Sequence, residues 1–256
     1  MSTAVTYPRV IASEFTKLHS LRSSRLSLLI ALGLVVGLGL FVPWLSVTDW
    51  REGTPTAGYN SVERSLSGIY LAQIAFGVLG ALLISGEYAT GSIRSTFAAV
   101  PRRLPVLWSK LGVFLVTTLV LGTIASVVAF VLGQAIFSSK DVDASFGDPH
   151  VLRAVLGCGL FLAAMGVFGL ALGALLRNTA AAITTLTLAL FVVPVIVDVM
   201  PKGEKIGPYL PSAAGLTITT VSSDGPLSPW GGFGLLCAYV VATIAIAAVL
   251  LVRRDA

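Results

Sequence analysis

Few side chains in this chain could do bond-making chemistry. The only histidines are His19 and His150, and the only cysteines, Cys158 and Cys237, each lie inside an apolar run. Neither H-E-x-x-H nor G-x-S-x-G occurs, and no G-x-x-x-x-G-K-[ST] is present to cradle a phosphate. The cysteines have no metal-type spacing and read as small buried hydrophobes. One polar stretch stands out, Gly86–Lys110, GEYATGSIRSTFAAVPRRLPVLWSK. It sets Arg94, Arg102, Arg103 and Lys110 against one acid, Glu87, and is punctuated by Gly91, Pro101 and Pro105. Such residues suit docking and ion pairing rather than catalysis.

What holds this stretch follows from composition. Hydrophobic types make up 55% of the 256 residues and charged types 11%, against about 25% charged in a soluble domain. Mean hydropathy is +0.91. Six runs are long and apolar enough to cross a bilayer: Leu26–Leu45, Leu66–Ser85, Leu111–Phe137, Val151–Leu176, Thr179–Val199 and Trp230–Val252. They lack the alternation of barrel strands, so the expected fold is an all-α membrane protein with six transmembrane helices. The fourth and fifth runs are parted only by Arg177–Asn178 and form a tight hairpin. The first run is longer than a signal-peptide core and no A-x-A site follows it, so it is expected to be retained.

Orientation follows the Lys/Arg bias. With the N-terminus inside, eleven of the 17 bases fall on the inner side and six on the outer, while three of the 12 acids fall inside. Both termini are therefore expected to be cytoplasmic, in a multi-pass protein of the cell membrane. The net charge of +5 is then a matter of topology, and no nucleic-acid partner is expected.

The N-terminal residues 1–25 form a segment distinct from the single transmembrane domain, residues 26–256. Ile11, Phe15, Leu18 and Leu21 recur at helical spacing, with Lys17 away from that face and Glu14 and Arg22 intruding on it. The segment reads as a helix lying on the inner membrane surface, or as a leader that only sets topology. Within Gly86–Lys110, Ile93, Phe97 and Val100 line one face of a short helix that Gly91 opens and Pro101 ends. Pro105 starts a helix running through Trp108 and Lys110 into the third span. The loop reads as a small docking helix on short arms, or as a basic loop demanded by the positive-inside rule.

Elsewhere the signals are weaker. In the last outer loop, AAGLTITTV is too short to span and reads as a re-entrant or interfacial piece, or as plain surface loop. The Gly33–Gly37 and Gly169–Gly173 spacings permit close helix packing, within the chain or between copies. Asp198 sits at the outer end of the fifth span, near Lys202. Gln73, Thr117, Thr118, Gln134, Thr184 and Thr187 are polar groups available to line a path.

The stretch resembles the signature of type-2 ABC transporter permeases. The matching positions are Glu87, Gly91, Ser92, Ile93, Arg94, Pro101, Arg103 and Lys110, and the Glu14-x-x-Lys17 pattern resembles the opening segment of that family. The resemblance implies that the short helix is a coupling helix resting on a separate ATP-hydrolysing subunit. Its contact residues would be Glu87, Gly91, Ile93, Arg94, Phe97, Val100, Pro101, Arg103 and Lys110. It implies a connecting helix marked by Ile11, Phe15, Lys17 and Leu18. It also implies pairing with a second permease copy, identical or related, in the lipid bilayer. ATP and Mg would reside on the partner ATPase, with no cofactor, metal or catalytic residue in this chain.

The expected function is thus the permease subunit of an ATP-driven exporter working by alternating access. Nearly charge-free spans favour a hydrophobic or amphipathic cargo such as a drug, a peptide antibiotic or a lipid. The alternatives are a membrane signalling or immunity protein that transports nothing, and an ion-coupled carrier. The scarcity of buried charge weighs against the carrier.

Overall fold

A computed structural model describes residues 7–20, 22–51, 59–99, 103–222 and 225–253. Among them every regular element is helical. A short helix α1 (Tyr7–Ser20) precedes α2 (Arg22–Thr48), the first span. The second span joins α3 (Ser61–Ser65) to α4 (Ile69–Ala89). Helix α5 (Ser92–Ala99) then leads to α6 (Arg103–Phe137), and α7 (Val151–Leu176) follows. The fifth span is α8 (Thr179–Thr187), a π turn (Leu188–Val192) and α9 (Val193–Val199). Helices α10 (Gly203–Ile206) and α11 (Pro211–Leu216) lie in the loop before α12 (Pro229–Arg253).

Six helical segments are long and apolar enough to cross a membrane: Ser24–Thr48, Ser61–Ala89, Arg103–Lys140, Val151–Leu176, Thr179–Val199 and Pro229–Arg253. All six expected spans are present. The third is longer than its apolar run, because α6 already begins at Arg103. At 1.5 Å per residue its 35 residues reach about 52 Å, well beyond a hydrocarbon core of about 30 Å. Its first turns therefore carry Lys110 on a rigid post.

Local chemistry sets the breaks. Arg177 takes a left-handed φ of 54° after α7, and the Asn178 carboxamide oxygen accepts from the Ala181 N–H to start α8. This is the tight hairpin expected at Arg177–Asn178. In the fifth span, Pro194 has no N–H to give to the Leu190 carbonyl, and the chain widens into the π turn there.

The fourth span is the hub. Helix α7 packs against α4, α6, α8 and α12. The most apolar window of this span is 89% buried, against 22% for the fifth and sixth spans. Small residues allow the closest contact. A Cβ at Gly169 would lie 1.9 Å from the Gly77 carbonyl oxygen, and one at Gly173 2.6 Å from that of Ala81. The Gly169–Gly173 pair thus serves packing within the chain. Gly33 and Gly37 have no atom within 4 Å of a built Cβ and face away from the other helices. Gln73, Thr118 and Gln134 are buried and hydrogen-bonded within the chain.

The loop between the fifth and sixth spans folds into the bundle. A Cβ on Gly215 would meet Leu236 Cδ2 at 2.5 Å and Phe161 Cε2 at 2.8 Å. These residues lie two to three turns inside α12 and α7, so α11 reaches about 10–15 Å below the ends of those helices. The Ser212 hydroxyl donates to Gln73 Oε1 at 2.7 Å, and Arg153 donates to the Thr220 carbonyl at 2.7 Å.

Candidate coupling site

At the opposite end of the bundle, α4 ends and α6 begins on either side of α5. Gly91 reverses the chain with a φ of 72°, a left-handed value that glycine adopts without strain. Helix α5 starts at once, so Glu87 near the end of α4 and Lys110 two turns into α6 come face to face. Lys110 Nζ lies 3.0 Å from Glu87 Oε1.

Helix α1 lies across this junction and supplies the other half of the site. Lys110 Nζ is 2.5 Å from Glu14 Oε2, Lys17 Nζ is 2.7 Å from Glu14 Oε1, and Lys17 Nζ is 3.2 Å from Glu87 Oε1. The four groups close a ring: Glu14, Lys110, Glu87, Lys17 and back to Glu14. Two carboxylates and two ammoniums make it neutral overall.

Burial gives the ring its stiffness. The Lys110 side chain is 1% exposed and that of Glu14 3%, while Glu87 keeps 15% and Lys17 35%. Taking one ion out of water costs several kcal/mol, so removing one partner of such a pair is far more damaging than never having had it. Burial pushes the Glu14 carboxyl up, but Lys110 and then Lys17 outweigh it and hold the group below its ordinary value. For Lys17 burial pushes down, and the carboxylates of Glu14 and Glu87 outweigh it and raise the ammonium. Both groups are thus held charged.

The ring unites four positions named from the sequence, Glu87 and Lys110 at the loop and Glu14 and Lys17 on α1. Leu18 is buried beside them, and Ile93 is buried too, so it holds α5 on its own chain. Arg94 is exposed and stands outside the ring. Arg103 donates to the Leu251 carbonyl at 3.1 Å, at the end of α12. Phe97 lies on α5, but its side chain is outside the described residues, as are Val100 and Pro101 entirely.

Two features go beyond the sequence reading. The inward face of α1 is Val10, Glu14 and Leu18, while Ile11 is 38% and Phe15 53% exposed. The helix is turned because its ion pairs need Glu14 inward, so the residue that broke the apolar pattern is the one that docks. The visible signal was Glu14 and Lys17 at i, i+3. The second is Arg177, read only as a hairpin break. It donates to the Leu250 carbonyl at 3.1 Å and sits 5.4 Å from the Tyr88 ring centroid. Together, Arg103 and Arg177 donate to two successive carbonyls in the last turn of α12, and so tie that helix to the start of α6 and the end of α7.

No curated relative matches the chain. Residues 10–197, well over half of the chain and including the whole ring, match the family model described as ABC-2 family transporter protein. The chain belongs to this family, as a multi-pass membrane transport subunit of the kind that works with a separate ABC ATPase.

Proposed function

We propose that the chain is the permease half of an ATP-driven exporter in the cell membrane, with both termini cytoplasmic. Helix α5 is its coupling helix and rests on the partner ATPase, which carries ATP and Mg. Two permease copies, identical or related, enclose the path. The cargo is hydrophobic or amphipathic, a drug, peptide antibiotic or lipid-like molecule, in keeping with spans almost free of charge.

The observation that carries this reading is the closed ring of Glu14, Lys17, Glu87 and Lys110. It binds the two arms of α5 to each other and to α1. A push on α5 therefore moves the ends of the second and third spans and the surface helix as one body. Through Arg103 the same push reaches the end of α12.

The test is gentle purification of the chain from its native membrane, followed by a search for a copurifying ATPase with a Walker motif. A partner is expected, and Phe97→Asp on α5 is expected to release it and uncouple ATP hydrolysis from transport. Recovery of the chain alone, or full coupling in the Phe97→Asp variant, rejects the reading.

A further inference from the structure

At the end of the bundle away from the ring, a cavity of about 310 Å³ opens between the end of α2 and the short helix α3. Its size is at the lower edge of the range of small-molecule sites, roughly 300–1,000 Å³. Val42 and Leu45 of α2 give it an apolar wall, and Trp50 and Tyr59 an aromatic one. Among the described residues its charged groups are one acid, Asp49, and one base, Arg64. Both side chains are exposed, so a ligand can reach them.

Arg64 is held in place. Its Nη1 donates to the Ser46 hydroxyl at 3.0 Å, and its guanidinium lies 4.9 Å from the centroid of the Tyr59 ring. That ring is braced in turn by Trp50, with centroids 5.1 Å apart, and by the buried Phe137, at 5.6 Å. A guanidinium fixed by one donor and one face keeps its other donors for the forked hydrogen bonds that suit a phosphate.

Asp49 is the opposite case. Among the described residues its carboxylate has no hydrogen-bond or ion-pair partner, Arg64 included, although its backbone N–H closes the last turn on Leu45. It stands at the C-terminal end of α2, where the helix already presents partial negative charge. Carboxylate and helix end together favour a cation.

The cavity thus keeps one positive and one negative group apart. Arg64 is anchored at Ser46, and Asp49 follows three residues on, about 5 Å further along the axis. A simple anion would leave Asp49 unmatched, and a simple cation would leave Arg64 unmatched. A zwitterion answers both. Trp and Tyr gather at headgroup level in a bilayer, and Val42 and Leu45 lie one to two turns deeper along α2, where acyl chains would run.

We propose that this cavity binds the headgroup of a zwitterionic phospholipid, its phosphate on Arg64 and its ammonium between the Asp49 carboxylate and the Trp50 ring. The site goes beyond the exporter reading, and its occupancy is measured without the ATPase. A failed copurification therefore leaves it standing, and its own failure leaves the exporter reading intact.

The experiment places the full chain in phosphatidylglycerol nanodiscs containing a minor fraction of phosphatidylethanolamine and counts retained lipids by native mass spectrometry. Retention of phosphatidylethanolamine well above its share of the bilayer is expected. Asp49→Asn should cut that preference about tenfold, the worth of one hydrogen bond to a charged group. Asp49→Lys, which sets two bases in the cavity, should turn the preference towards phosphatidylglycerol. Both changes fall on an exposed side chain, so circular dichroism and melting midpoint should stay as in the parent. Retention of the two lipids in proportion to their abundance overturns the proposal, and so does an unaltered preference in Asp49→Lys. Full displacement of the lipid by an equal concentration of soluble glycerophosphoethanolamine overturns its assignment to a membrane lipid.

Discussion

The two ends of the bundle are held by opposite means. At the α5 end, four charges in a buried ring tie together α1, α4 and α6. At the other end, the inserted loop around α11 is held mainly by neutral hydrogen bonds, the Ser212 and Thr217 hydroxyls donating to the Gln73 carboxamide oxygen and the Pro229 carbonyl, with Arg153 donating to the Thr220 carbonyl as the one charged donor named there. A neutral hydrogen bond is worth about 1 kcal/mol net, while breaking one partner out of a buried ion pair costs about 3–5 kcal/mol. The first end is therefore suited to staying rigid under load, and the second to opening and closing at small cost.

The most forceful way to break this contrast is Lys110→Met. It leaves Glu14 and Glu87 buried opposite no ammonium on α6, and a loss of about 3–5 kcal/mol is expected. Thermal unfolding in detergent, followed by size-exclusion chromatography, measures it. A variant as stable as the parent would show that the ring is not the clamp described here.

Acid should loosen the same end without mutation. Glu14 has its carboxyl held below the ordinary value in the folded chain, so its contribution is fully present above that ordinary value and is lost as pH falls through the lowered one. For Lys17 the folded value is raised. Its contribution is present below the ordinary lysine value and is lost as pH rises through the raised one. Melting midpoints across pH should show a plateau between these limits and a fall at both extremes. In Lys110→Met the acid limb should shrink, because the strongest partner of Glu14 is gone.

Ser212→Ala sharpens the comparison from the weak side. It removes one donor to Gln73 Oε1, at a cost of about 1 kcal/mol. The melting midpoint should hardly move. Hydrogen exchange should instead rise across Gly203–Ile206 and Pro211–Leu216, with no change in α1 or α5. A uniform rise through the bundle would mean that the two ends are not separable.

Much of this architecture was legible in the residues. The spans follow from apolar length alone, and the break at Arg177–Asn178 from a charge and a cap. Lys110 and Glu87 were legible as the ends of their spans. The docking of α1 through Glu14 was not, because the spacing of Ile11, Phe15 and Leu18 says only that the helix can lie on a membrane surface. Ile11 and Phe15 stay outside the bundle, and it is the ion pairs of Glu14 and Lys17 that hold the helix to it. Their partners lie 70 or more positions away, and no local period reports a partner at that distance. The depth of α11 was equally hidden. It depends on the absence of a side chain at Gly215, which lets Phe161 and Leu236 close over it.

The neutrality of the ring has one more consequence. Carrying a single elementary charge across 100 mV involves about 2.3 kcal/mol of electrical work. Two carboxylates and two ammoniums moving together carry no net charge, so the ring itself offers the membrane voltage nothing to pull on. Movement of the ring would draw no electrical work, in an energised or a depolarised membrane.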